Sequence, residues 1–217
     1  WMLGPHLLIS PVTSEGARTV TARLPHEPTS ERPTLWYDTV SGGAPLKGGG
    51  AARTVAAPLH VTPVFQRGGS IVPRRERVRR SALLGAWDPI TLHVAPDGAR
   101  AANGSLFLDD GHSFEYAGRG AAHALLGYAY RCASARACEL TSSPQPYLGT
   151  SAFTLPRAVV VEQVLLRGVR AASATLRTAG GGSATVRLSA TAHGALLRMQ
   201  APLLEPWAVE IALEASE

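Results

Sequence analysis

Apolar and polar residues alternate along most of this chain, the two-residue period expected of strands with one face in a core and one in water. Val20, Ala22 and Leu24 alternate with Thr19, Thr21 and Arg23, and Ile90, Leu92 and Val94 alternate with Thr91 and His93. Val186 and Leu188 flank Arg187, while Leu197 and Met199 flank Arg198. The clearest run comes last: Trp207, Val209, Ile211 and Leu213 face one way and Glu210 and Glu214 the other, the signature of a half-buried antiparallel strand.

Turn-forming clusters separate these runs: Ser41-Gly42-Gly43, Gly48-Gly49-Gly50, Asp97-Gly98, Asn103-Gly104, Asp110-Gly111 and Gly180-Gly181-Gly182. No amphipathic helix of useful length is predicted; the Ala-rich stretch from Ala121 to Leu126 has room for a turn or two between its flanking glycines. The fold class predicted is all-β, built as two consecutive antiparallel β-sandwich domains. A Pro, a charge run and a loss of alternation coincide at Arg74 to Leu84. We therefore place an entering segment at 1–9, a first sandwich at 10–78 and a second at 79–217.

Composition narrows the function classes. With 217 residues and 45% apolar content, the chain can bury roughly 70% of its unfolded surface without metal or disulfide staples. No apolar stretch approaches the ~20 residues of a membrane-spanning helix. The chain opens on Trp1 inside an apolar run, as a piece of a longer polypeptide would. Five arginines, Arg74, Arg75, Arg77, Arg79 and Arg80, face a single acid, Glu76, and carry most of the net charge of +5. Nucleic-acid footprints spread over a face and interleave stacking aromatics. This run does neither, so a solvated edge or an interdomain contact is expected and no nucleic acid.

Candidate chemistry is sparse. The sequence contains no phosphate-binding Gly loop, His-Glu-x-x-His, CxxC or Gly-x-Ser-x-Gly, and the seven histidines are too dispersed for a metal pair. Cys132 and Cys138 form either a local bridge across a hairpin in an oxidising compartment or two buried free thiols. Asn103-Gly104-Ser105 is an N-glycosylation sequon, read here as part of a surface turn. Asp109-Asp110-Gly111-His112 follows an alternating strand and reads as a self-bonded turn, with a weak site for a hard cation as the alternative. Trp36-Tyr37-Asp38 sets an aromatic beside a carboxylate, but glycoside hydrolysis needs two carboxylates flanking one bond, and no such pair stands out.

Several segments in order are more informative than any one. Met2-Leu3-Gly4-Pro5-His6-Leu7-Leu8-Ile9-Ser10-Pro11-Val12, then Leu35-Trp36-Tyr37-Asp38, then Pro63-Val64-Phe65-Gln66-Arg67-Gly68-Gly69-Ser70-Ile71-Val72-Pro73, then Leu106-Phe107-Leu108-Asp109-Asp110-Gly111-His112-Ser113-Phe114 resemble the C-terminal region of glycoside hydrolase family 31 α-glucosidases. Pro73-Arg74, Arg77-Val78-Arg79-Arg80-Ser81 and Asp88-Pro89-Ile90-Thr91-Leu92 most resemble the family's endoplasmic-reticulum glucosidase II branch and its neutral α-glucosidase C relatives. From about Leu140 onward only the strand character and Val159 to Leu166 match.

The resemblance implies that an α/β barrel precedes residue 1, with these residues forming proximal and distal sandwiches behind it. The family's nucleophile lies in a Trp-x-Asp-Met-Asn-Glu motif on that barrel, with the acid/base Asp. Trp36-Tyr37-Asp38 continues as Thr39-Val40-Ser41, so no catalytic role passes to Asp38 and the chain is expected to be inactive alone. The implied parent is a retaining enzyme that removes terminal α-linked glucose from N-glycans without a cofactor. It works in the endoplasmic reticulum lumen beside a lectin-like β-subunit, or in the cytosol for the paralogue. A sugar-binding or purely structural module is the competing reading, with Phe114, Tyr116, Tyr128, Tyr130 and Tyr147 as candidate platforms.

Overall fold

The computed structural model describes residues 1–27, 31–117, 123–144, 154–155 and 158–214. It is built from strands, with two short 3-10 turns, at Leu83–Gly85 and Glu115–Ala117, as the only helical elements among the described residues. The first part holds β1 (Met2–Leu3), β2 (Leu7–Ile9), β3 (Thr19–Ala22), β4 (Leu35–Asp38), β5 (Leu46–Lys47), β6 (Arg53–Ala56) and β7 (Val64–Arg67). Five of these form an antiparallel sheet in the order β1-β2-β7-β4-β5, and β3 and β6 form a separate ribbon. Leu8, Trp36 and Phe65 on the sheet pack with Ala22 and Leu24 from the ribbon side, giving this part its own small core.

The remaining strands are β8 (Ser70–Arg74), β9 (Ile90–Ala95), β10 (Ala102–Leu108), β11 (Ala124–Cys132), β12 (Ala137–Pro144), β13 (Val160–Arg167), β14 (Ala171–Thr178), β15 (Ser183–Thr185), β16 (Arg187–Thr191), β17 (Gly194–Pro202) and β18 (Trp207–Leu213). All eleven join one sheet in the order β15-β14-β18-β12-β11-β10-β8-β9-β13-β17-β16. The two ends of that order are consecutive in sequence. Val186, between β15 and β16, donates its N–H to Ala174 O and buries its side chain, so one segment pairs with β14 and then with β17. The sheet thereby closes on itself around a core that includes Ile90, Leu92, Leu140, Val164, Leu197 and Val209, leaving few free edges.

Two details depart from the alternation seen in sequence. β9 is buried at every position, Thr91 and His93 included. Ile90, Leu92 and Val94 face the distal core, while His93 meets Arg167 and Glu76 through its ring and Gln66 of the proximal sheet through its carbonyl. The Ala124–Leu126 part of the Ala-rich stretch is the start of β11, not a helical turn; Ala121 and Ala122 lie outside the described residues.

The handover between the two bodies falls at Gly68-Gly69. β7 ends the proximal sheet and β8, two residues later, already belongs to the eleven-stranded sheet. The segment Arg74 to Leu84, expected from sequence to separate two domains, instead joins two antiparallel neighbours of one sheet, β8 and β9.

Candidate functional site

The sequence-selected carboxylates are engaged by their own surroundings. Asp38, at the end of β4, accepts the N–H groups of Val40 and Ser41 at 2.8 and 2.9 Å, capping the turn that follows. Its neighbours are anchored too: Trp36 Nε1 donates to Pro25 O at 2.9 Å, and the buried Tyr37 hydroxyl donates to Pro96 O at 2.7 Å. Asp109 accepts the Gly111 N–H at 3.0 Å. Asp110 accepts the N–H groups of His112 and Ser113 on one oxygen and the Ser113 hydroxyl on the other, at 2.7 Å. These bonds favour the charged form and hold the Asp110 carboxyl down at about 2. The motif is built as a self-bonded turn, and among the described residues no three His, Cys, Asp or Glu gather as a metal site.

Asn103-Gly104-Ser105 is not in a turn. It sits inside β10, with Asn103 aligned to Ala129 on one side and Ser70 on the other. The Asn103 side chain points outward and accepts a hydrogen bond from Arg131 Nη2 at 2.8 Å. Gly104 is required by close approach: a Cβ there would lie 2.0 Å from Ile71 O. The Asn-Gly pair, a bend signal by local sequence, lies in an extended segment because the neighbouring strand β8 demands a glycine there.

Cys132 and Cys138 are directly opposed on β11 and β12 and are joined as a disulfide across the hairpin. The Tyr130 hydroxyl lies 3.3 Å from Cys132 Sγ. Tyr128 and Tyr130 are core residues, and burial raises both phenols, Tyr130 to about 12. Tyr147 lies outside the described residues. Phe114 and Tyr116 are exposed and meet each other with their rings tilted by 46°, while Tyr116 meets Phe107 edge-on at 87°. They do not present the flat pair that would bed a sugar ring.

The arginine run is a strap, not a patch. Arg79 forms a two-pronged bond to the buried Asp88, both contacts at 2.8 Å, and Arg77 reaches Glu162 on β13 at 2.9 Å. Glu76 lies 3.2 Å from Arg74 and accepts a bond from His93 Nε2 at 2.7 Å.

That last contact leads into a network that sequence reading missed. Arg167, at the end of β13 and only 1% exposed, points out of the distal sheet into the junction with the proximal one. Its Nε donates to Gln66 Oε1 at 3.1 Å, Nη2 to His93 Nδ1 at 2.9 Å and Nη1 to Asp38 O at 3.4 Å. Gln66 in turn donates to His93 O at 2.9 Å and to Ser70 at 3.2 Å. Since Nδ1 of His93 accepts from Arg167, Nε2 carries the ring proton and donates it to Glu76.

Burial lowers the Arg167 guanidinium to about 10, and burial also lowers His93 despite its bond to Glu76. The network satisfies every named group and joins β4, β7, β8, β9 and β13 at one point. The available signal was a charged residue ending the apolar run Val164-Leu165-Leu166.

The comparisons agree with this architecture. Residues 1–72 match the family model described as Glycosyl hydrolase family 31 C-terminal domain. Neutral alpha-glucosidase AB of Mus musculus is 36% identical over 183 residues, 83% of this chain and 17% of that protein. Neutral alpha-glucosidase C of the same organism is 31% identical over 220 residues, 97% of this chain and 22% of that protein. A solved heterodimeric complex of ER glucosidase II, its catalytic subunit with the binding domain of the regulatory subunit, superposes with a TM-score of 0.73 at 25% identity, covering 95% of this chain and 22% of that one. The chain thus spans less than a quarter of the length of each relative. An all-β architecture, a family match at the proximal strands and similarity to these α-glucosidases through the distal ones place this chain in the C-terminal region of glycosyl hydrolase family 31.

Proposed function

We propose that this chain is a non-catalytic β-module of a retaining exo-α-glucosidase that removes terminal α-linked glucose from N-glycans. The observation that carries the reading is the state of its motif carboxylates: Asp38, Asp109 and Asp110 are hydrogen-bonded within their own turns, and Asp88 is clasped by Arg79. A glycosidase carboxylate must instead face a sugar across a cleft, as nucleophile or proton donor. The role left to the module is mechanical. Arg167 and its partners couple the two sheets, and the exposed apolar strand Met2–Leu3 with Trp1 gives the proximal sheet a surface suited to packing on the preceding barrel.

The endoplasmic reticulum lumen is the proposed compartment. The cross-strand disulfide suits an oxidising environment, and the related complex is an ER glucosidase II. By the same relation, a regulatory β-subunit is the proposed partner of the whole enzyme.

The test compares glucose release from a chromogenic α-glucoside by this chain and by a form extended N-terminally through the barrel. Activity confined to the longer form is expected. Turnover by the 217-residue chain itself would overturn the proposal.

A further inference from the structure

Arg187 on β16 and Arg198 on β17 stand directly opposite each other, and Gln163 on β13 is aligned with Arg198 from its other side. Both arginines are exposed, while Leu197 and Met199 on either side of Arg198 turn into the core. Directly opposed like charges destabilise a sheet unless something of opposite sign lies between them. Among the described residues neither guanidinium is paired with a carboxylate.

The two arginines line an open cleft of about 520 Å³, where Gln163, Gln200 and Thr185 add amide and hydroxyl donors. Glu162 is the one acid in its wall, and its Oε2 already accepts from Arg77 at 2.9 Å. The register slips between Val161 and Gln163 against both β17 and β9, a bulge that bends the strand at the cleft wall. Val186 and Met199 supply apolar surface at the corner where the sheet closes.

We propose that this cleft binds a tetrahedral oxyanion, phosphate or sulfate, carried on a small organic body. Two guanidinium forks on opposed residues lining one cleft suit the paired oxygens of such a group, and arginine fits that role better than lysine because its donors are fixed in a plane. The anion relieves the repulsion between Arg187 and Arg198. The cleft is roomier than a bare anion needs, and its apolar corner accepts the carbon skeleton of an ester such as a sugar phosphate.

The test is calorimetric titration of the intact chain at fixed ionic strength with inorganic phosphate, glucose 6-phosphate and glucose. Saturable binding of both phosphate probes and none of glucose is expected, with the ester tighter. Arg198→Gln and Arg187→Gln should each weaken binding by about tenfold or more. Arg198→Lys, which keeps the charge but not the fork, should fall between, and Arg53→Gln on β6 should change nothing. Glu162→Gln should tighten binding by removing the acid from the wall. Equal affinity for phosphate and its ester would overturn the organic body while keeping the oxyanion. Absence of saturation, or binding that survives both glutamine substitutions in proteins that melt normally, would overturn the site.

Discussion

Arg167 Nε and Gln66 Oε1 meet at 3.1 Å, joining residues 101 positions apart that belong to different sheets. Neither partner has solvent to fall back on, since each is 1% exposed. Removing one therefore strands the other, along with the groups of His93 and Asp38 that face it.

Arg167→Ala should lower unfolding free energy by about 2–4 kcal/mol, because several buried acceptors lose their donor at once. Arg167→Lys should recover little, having no fork to reach Gln66 and His93 together. Urea titration followed by tryptophan fluorescence would report both. A loss under about 0.5 kcal/mol, the size of an ordinary surface change, would mean that the junction does not depend on this network.

Acid should loosen the same junction. Burial lowers His93 from its ordinary 6.5, with Arg167 and Arg74 acting in the same direction against the bond to Glu76. The unfolded chain therefore takes up the proton first, and stability is full above about 6.5 and is lost as pH falls towards the folded value. Glu76, lowered from 4.5 mainly by its bond to His93, adds a second loss of the same sign below that value. Melting temperatures between pH 7.5 and 5 should fall, and His93→Gln should flatten the slope. Some slope should remain, since burial also lowers His6 and His193. An unchanged slope in His93→Gln would assign the effect elsewhere.

Reducing the Cys132–Cys138 bridge restores little entropy to the unfolded chain, as the cysteines are 6 residues apart. The expected cost is about 2 kcal/mol, the low end for a disulfide. β11 and β12 stay paired without it through their backbone ladder. Chemical denaturation with and without reductant measures the difference, and global unfolding on reduction would contradict the estimate.

Gly104→Ala should be severely destabilising, about 3 kcal/mol or more, because the new Cβ would meet the Ile71 carbonyl backbone at 2.0 Å. Gly180→Ala, with nothing within 4 Å of its Cβ position, should change stability by less than about 0.5 kcal/mol. Thermal melts of the pair separate close approach from mere flexibility.

The alternation around Ile90 to Val94 correctly announced a strand but missed that its polar positions are buried too. Alternation reports one core, and β9 has a second body packed on its other face. The same limit explains Asn103-Gly104, where a local turn signal lies within a strand because β8 passes close by. Asp109-Asp110 was legible as a turn, since its hydrogen bonds are made within a few residues of the chain. Arg167 was not legible as a junction residue: its partners Gln66 and His93 are distant in sequence and are brought together only by the stacking of two sheets.

What the sequence determined by itself was the set of strands, their turns and the family motifs, all of which are recorded in short-range patterns of polarity and residue type. Tertiary structure decided where one sheet hands over to the next, how β15 and β16 close the larger one, and which polar side chains lie inside. Those depend on distances between segments that no local pattern encodes. The burial that makes Arg167 a joint, and the strand register that brings Arg187 and Arg198 face to face, exist only once the chain has folded over itself.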